Sequence, residues 1–133
     1  MTGEGREAAA GEELARAREE IRAAEHLIGL GIPRVAMTRA YFACFHAARA
    51  LLYAQGLEPR THRGTLHLFN VHLVKSGRYE PAASRLLARL QQFREEADYG
   101  ESFVVDDAGA REELEAARAF VERVGGDLGG PAR

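Results

Sequence analysis

The stretch Met37-Thr38-Arg39-Ala40-Tyr41-Phe42-Ala43-Cys44-Phe45-His46-Ala47-Ala48-Arg49-Ala50-Leu51-Leu52-Tyr53 decides the architecture. Met37, Tyr41, Cys44, Phe45, Ala48, Leu51 and Leu52 recur at helical spacing and cover one broad face, which Phe42 and Tyr53 carry further round. A helix this apolar needs neighbours on most of its circumference, so the pattern predicts a central bundle helix over about 34–55. Pro33 suits its first turn, where a missing N–H costs nothing. Gln55-Gly56 closes it, with Gly56 able to take the left-handed cap.

The flanking sequence supplies the neighbours. Leu14, Ala17, Ile21, Ala24 and Ile28 form the stripe of a preceding helix that Gly29 and Gly31 end. Thr61 can cap a third helix to about Ser76, with Leu66, Phe69 and Leu73 inward and a break at Lys75-Ser76-Gly77. A fourth is expected from about Pro81 to Ala97, burying Leu86, Leu90 and Phe93, and Asp98 to Val105 reads as a loop. Asp106 or Asp107 can cap a last helix whose stripe is Ala110, Leu114, Ala117, Val121 and Val124. Residues 1–10 are expected to fray, and the tail from Gly125 to Pro131 is too rich in glycine to hold a helix. No segment alternates with period two, so no strands are expected. The expectation is an all-α, antiparallel (up-and-down) bundle of about five helices: one domain over 1–133, with its core at about 12–124 and mobile ends.

Composition narrows the class. With 46% apolar and 29% charged residues, the 133-residue chain is ordinary globular protein and not disordered, collagen-like or low-complexity. The single cysteine, Cys44, excludes an internal disulfide and reads as a small core residue. No Cys/His spacing suits zinc, so neither a metal nor a cofactor is expected. No apolar run approaches the roughly 18 residues of a membrane span. The charged start, Met1-Thr2-Gly3-Glu4-Gly5-Arg6-Glu7, does not read as a secretory signal, and the expected setting is the reducing cytoplasm.

The net charge of −2 hides a division along the chain. Residues 1–33 hold four basic and seven acidic side chains, a net −3; residues 34–94 hold ten and two, a net +8; residues 95–133 hold four and eleven, a net −7. His46, His62, His67 and His72 lie in the basic middle. Two readings are open. The middle is a surface for phosphate-bearing partners, or the acidic last helix folds onto it and cancels it. Glu112, Glu113 and Glu115 read as a solvated face.

A polar line crosses the apolar helix at alternating spacings of three and four: Arg39, Phe42, His46, Arg49 and Tyr53. Arg39 and His46, seven apart, fall within about 20° of one face. Such a line must either border a cleft that admits an anion or be satisfied inside the bundle, with Asp98 one possible partner. Thr61-His62-Arg63-Gly64 stands at a helix N-terminus, where His62 and Arg63 could grip a phosphate; the plain alternative is that Thr61 only caps. Arg60 and His67 repeat the Arg39–His46 spacing across a loop-to-helix boundary, which reads as a chance match.

Three stretches carry a resemblance: Arg39-Ala40-Tyr41-Phe42-Ala43-Cys44-Phe45-His46-Ala47-Ala48-Arg49-Ala50-Leu51-Leu52, Thr61-His62-Arg63-Gly64 and Phe93-Arg94-Glu95-Glu96-Ala97-Asp98-Tyr99-Gly100. Together they resemble the HEPN superfamily (higher eukaryotes and prokaryotes nucleotide-binding) in its small stand-alone prokaryotic branch, over roughly residues 12–124. The resemblance implies two long antiparallel helix pairs, commonly in a homodimer. It also implies a toxin or the partner of a minimal nucleotidyltransferase antitoxin, and several members are metal-independent ribonucleases. Those ribonucleases carry Arg, four to six residues, then His. The Arg matches Arg94, but the His position falls on Tyr99. A phenol with pKa near 10 is a poor base at pH 7.

Three functions follow from these readings. The first, favoured by the missing histidine, is a module binding nucleotide, RNA or a nucleotidyltransferase through Arg39, His46, Arg49, His62, Arg63 and Arg94. The second is an endoribonuclease toxin using Arg39 or Arg94 with His46, in which a histidine moves the proton and an arginine stabilises the charged phosphorane. Tyr99 stands among its catalytic candidates, or is a nucleotidylation target by analogy with the family. The third is a structural or adaptor bundle whose polar line only fixes packing.

Overall fold

In the computed structural model, which describes residues 2–99 and 105–129 but not the side chains of 97–99, the described residues form helices and no strand. The helices are α1 (Gly3–Gly29), α2 (Pro33–Ala54), α3 (His62–Phe69), α4 (Pro81–Tyr99) and α5 (Asp107–Asp127). A π-helical turn, Asn70–Val74, continues α3. Side-chain caps start three of them: Thr2 Oγ1 accepts from Gly5 N–H at 2.9 Å, Thr61 Oγ1 from Gly64 N–H at 2.8 Å, and Asp106 from Gly109 N–H at 2.6 Å.

Contacts along the helices give their directions. Glu13 meets His46 and Glu20 meets Arg39, so numbers rise on α1 as they fall on α2, and the two run antiparallel. Leu14 approaches Gly125 while Ile28 lies by Leu114, which sets α5 antiparallel to α1. Tyr79, just before α4, bonds Asp127, and Arg89 bonds Glu113, so α4 opposes α5. The order α1, α2, α4, α5 is therefore up, down, up, down. The link after α2 returns the chain to the level of Tyr41, where α3 begins.

Helix α2 is the centre. Between Ala36 and Leu52 only Thr38, Arg39, Phe42, His46 and Arg49 escape full burial. Alanines at 17 and 24 on α1 and at 36, 40, 43, 47 and 50 on α2 are buried, letting these backbones approach closely. A second aromatic cluster, Phe69, Tyr79 and Phe120 with ring centroids 5.6–5.8 Å apart, joins α3 to the start of α4 and to α5.

Two end expectations are overturned. Residues 3–10 do not fray: the Thr2 cap starts α1 at Gly3, and Ala10 is buried. Helix α5 does not stop at Val124 but continues through Gly125 and Gly126 to Asp127, because Gly125 is buried against α1 beside Leu14 and Arg18. The single α-helix expected to Ser76 changes to π-helical form at Asn70, where Asn70 Oδ1 accepts from the Ser84 hydroxyl of α4. The loop expected from Asp98 starts later, α4 reaching Tyr99, and its residues 100–104, like Gly130 and Pro131, lie outside the described residues.

Candidate functional site

The polar line of α2 divides into two environments. On the α1 side, Arg39 Nη1 donates to both carboxylate oxygens of Glu20, at 3.1 and 3.2 Å. His46 Nδ1 lies 2.5 Å from Glu13 Oε2. Arg49 Nε stands 3.3 Å from Glu13 Oε1, and its Nη2 donates to the Tyr53 hydroxyl. Glu13 is only 7% exposed. Burial alone would raise its pKa, but the His46 hydrogen bond and the charges of His46, Arg49 and Arg16 outweigh that and hold it below the ordinary value.

These two glutamates are what the sequence reading missed, having considered Asp98, whose side chain lies outside the described residues. The signal existed. Glu13 and Glu20 are seven apart on α1, as Arg39 and His46 are on α2, and an antiparallel pair brings such sets into register.

The other environment faces α3 and α4. Arg94 places its guanidinium 5.5 Å from the Tyr41 ring centroid and 5.3 Å from that of Phe42. Among the described side chains, which do not include that of Asp98, no carboxylate pairs with Arg94. Arg39 approaches Phe42 as well, at 5.0 Å, so two guanidinium groups lie near the partly buried Phe42 ring. His62 stacks on Phe45 with centroids 4.3 Å apart, and its Nδ1 lies 2.5 Å from the Tyr41 hydroxyl.

Burial, then the positive charges of Arg94, Arg49 and His46, lower the His62 pKa, which favours a neutral ring at pH 7. Burial pushes Tyr41 up to about 12 despite Arg94, so it remains a phenol. The cleft beside them, lined by Tyr41, Phe45, His62, Thr65 and Gln91 among others, holds about 10 Å³, room for roughly one water. A larger guest would lie over this face and not in a deep pocket.

The remaining candidates are placed as follows. Arg63 is exposed on α3, one residue after His62. Thr61 is a helix cap by geometry. Arg60, before the Thr61 cap, and His67, on α3, are both exposed. Tyr99 ends α4, its side chain outside the described residues. Cys44 is fully buried, and burial raises its thiol pKa far above the ordinary value. Among the described residues no three His, Cys, Asp or Glu are grouped to hold a metal ion, and no helix is long and apolar enough to cross a membrane.

With this geometry in place, a family model described as the HEPN domain matches residues 11–127. The chain belongs to the HEPN family. A Methanocaldococcus jannaschii protein named "Putative toxin" is 34% identical over 112 residues, 81% of this HEPN protein and 80% of its relative. A UPF0332 protein of Archaeoglobus fulgidus is 32% identical over 110 residues, covering 83% and 87% of the two chains. A UPF0332 protein of Thermotoga maritima is 30% identical over 109 residues, covering 82% and 83%.

Proposed function

We propose that this HEPN protein is a toxin-like module that binds RNA on the face where Arg94, Phe42 and His62 meet. The observation that carries the reading is Arg94: a half-buried guanidinium held 5.5 and 5.3 Å from the ring centroids of Tyr41 and Phe42. A guanidinium so placed can form paired hydrogen bonds to a phosphate, and the partly exposed Phe42 ring beside it offers an apolar contact for an unpaired base. His62, neutral and fixed by Tyr41, serves as a hydrogen-bonding group to sugar or phosphate. Arg63 adds charge at the rim, while Arg39, His46 and Arg49 shape the floor from their ion pairs with α1. The toxin name of the Methanocaldococcus jannaschii relative supports this class of function.

Fluorescence anisotropy with a labelled single-stranded RNA tests it. A charge-assisted contact contributes about 1.5–3 kcal/mol, so Arg94→Ala should weaken binding by about tenfold or more. No change would overturn the reading. Cleavage of the RNA that survives EDTA and vanishes in His46→Ala would replace binding with catalysis. One observation favours the adaptor reading: Arg39 and His46 are each satisfied by an α1 carboxylate. That reading requires no RNA binding at all. We further propose that the module acts as a homodimer or against a minimal nucleotidyltransferase antitoxin in the cytoplasm; exposed Leu30, Ile32 and Val35 at the α1–α2 turn support a protein contact there. Sedimentation at twice the chain mass is the outcome expected of the homodimer.

A further inference from the structure

The basic middle of the sequence is split by the fold. Three of its arginines are neutralised by the acidic helices: Arg39 by Glu20, Arg49 by Glu13 and Arg89 by Glu113. The rest behaves differently. From Pro59 to Tyr79 the chain carries no carboxylate. Within that stretch Arg60, Arg63, His67, Lys75 and Arg78 are exposed, and none of these side chains stands in an ion pair among the described residues.

Arg63 and His67, four apart, share the outer face of α3, with Arg60 just before its cap and Lys75 just after the π-helical turn. The inner side of the same segment is anchored by buried Thr65, Phe69 and Leu73. At about 1.5 Å per residue the segment from His62 to Lys75 extends about 20 Å, enough to meet several successive phosphates of one strand.

We infer that the outer face of α3 and its π-helical turn is a track for the phosphate backbone of single-stranded RNA, leading away from the Arg94 face toward Lys75. The inference rests on the RNA reading above and deepens it, because it makes the guest a polynucleotide and not a mononucleotide. Continuity supports this: His62, the first residue of α3, is itself part of the Arg94 face. Charge complementarity supports it too. Among the described residues the exposed large apolar side chains lie at the α1–α2 turn and none on this segment, so the face lacks the apolar centre of a protein interface and has the polar, basic character of a nucleic-acid one.

The test compares the native chain with the triple variant Arg60→Ala/Arg63→Ala/Lys75→Ala, binding an RNA of about twelve nucleotides. Adenosine monophosphate serves as the short probe. For a single strand each phosphate contact contributes about −0.7 to the slope of log affinity against log salt, so losing three contacts should flatten the slope by about 2. Affinity for adenosine monophosphate should fall far less than affinity for the RNA, because Arg63 alone of the three borders the Arg94 face. Arg111→Ala, which removes an exposed charge from α5 that is paired with Asp107, should leave both quantities alone.

If the triple variant melts early, the single reversal Lys75→Glu, at the end of the segment away from the Arg94 face, serves instead, with the same sign expected. An unchanged salt slope overturns the track, and so does a variant that keeps its RNA affinity but loses binding to polyglutamate, which would assign the face to an acidic protein. Should Arg94→Ala weaken RNA binding while the triple variant does not, only the track fails. Should the native chain bind no RNA, both readings fall.

Discussion

Glu13 accepts from His46 with one carboxylate oxygen and faces Arg49 with the other, from a position almost closed to solvent in the α1–α2 seam. Glu20 makes two hydrogen bonds to Arg39 one heptad along, but there the side chains keep 19% and 35% of their exposure. The difference in burial should dominate over the number of bonds, because water screens the outer pair and replaces it when broken. Removing the charge from Glu13 leaves the partly buried Arg49 guanidinium and the His46 imidazole without their carboxylate. Glu13→Gln is therefore expected to cost about 3 kcal/mol, against at most about 1 kcal/mol for Glu20→Gln, read from urea midpoints at constant m-value. In the double variant Glu13→Gln/His46→Gln the two costs should be less than additive. Equal losses at Glu13 and Glu20 would contradict this ranking.

At the level of the helices, α3 depends on its first turn. It has eight residues and only Thr65 and Phe69 buried, so the Thr61 hydroxyl that receives Gly64 N–H is a large share of what defines its start. Thr61→Ala should lower stability by about 1 kcal/mol, with Thr61→Ser close to native; a silent Thr61→Ala in thermal melts would mean that α3 starts elsewhere. The cap was legible because its chemistry is local, as were the stripes of α1, α2 and α5, whose apolar period survives in one dimension. What was not legible depends on the third. Gly125 and Gly126 argue against helix by about 1 kcal/mol each, and only the burial of Gly125 on α1 reverses that. The π-helical turn likewise answers to Ser84, fourteen residues away. The same limit applied to the site: the polar line of α2 was visible as a spacing, whereas its carboxylate partners lie 19 and 33 residues off in the chain.

At the scale of the molecule, the −3, +8 and −7 blocks of the sequence fold so that acid meets base along α1–α2 and α4–α5, while among the described residues the exposed cations of the α3 segment stand in no ion pair. Acid should loosen this arrangement in two stages. His62 has a folded pKa below its ordinary 6.5, lowered by burial and by Arg94, Arg49 and His46. As pH falls below about 6.5 the unfolded chain takes up this proton first, so the unfolded state binds more protons and stability declines. Glu13 is held below its ordinary 4.5, burial being outweighed by His46, Arg49 and Arg16. Its stabilisation is present above that value and is lost as pH falls through the lower folded pKa. Urea midpoints plotted against pH should thus show one decline starting near 6.5 that His62→Asn flattens, and another starting near 4.5 that Glu13→Gln flattens. RNA affinity offers an independent check on the same histidine. If His62 acts as a neutral hydrogen-bonding group beside Arg94, affinity should be level from about pH 8 to 6.5; a rise on approaching 6.5 would mean that the ring binds as a cation, and that the charge Arg94 contributes is not enough to keep it neutral once a phosphate is seated.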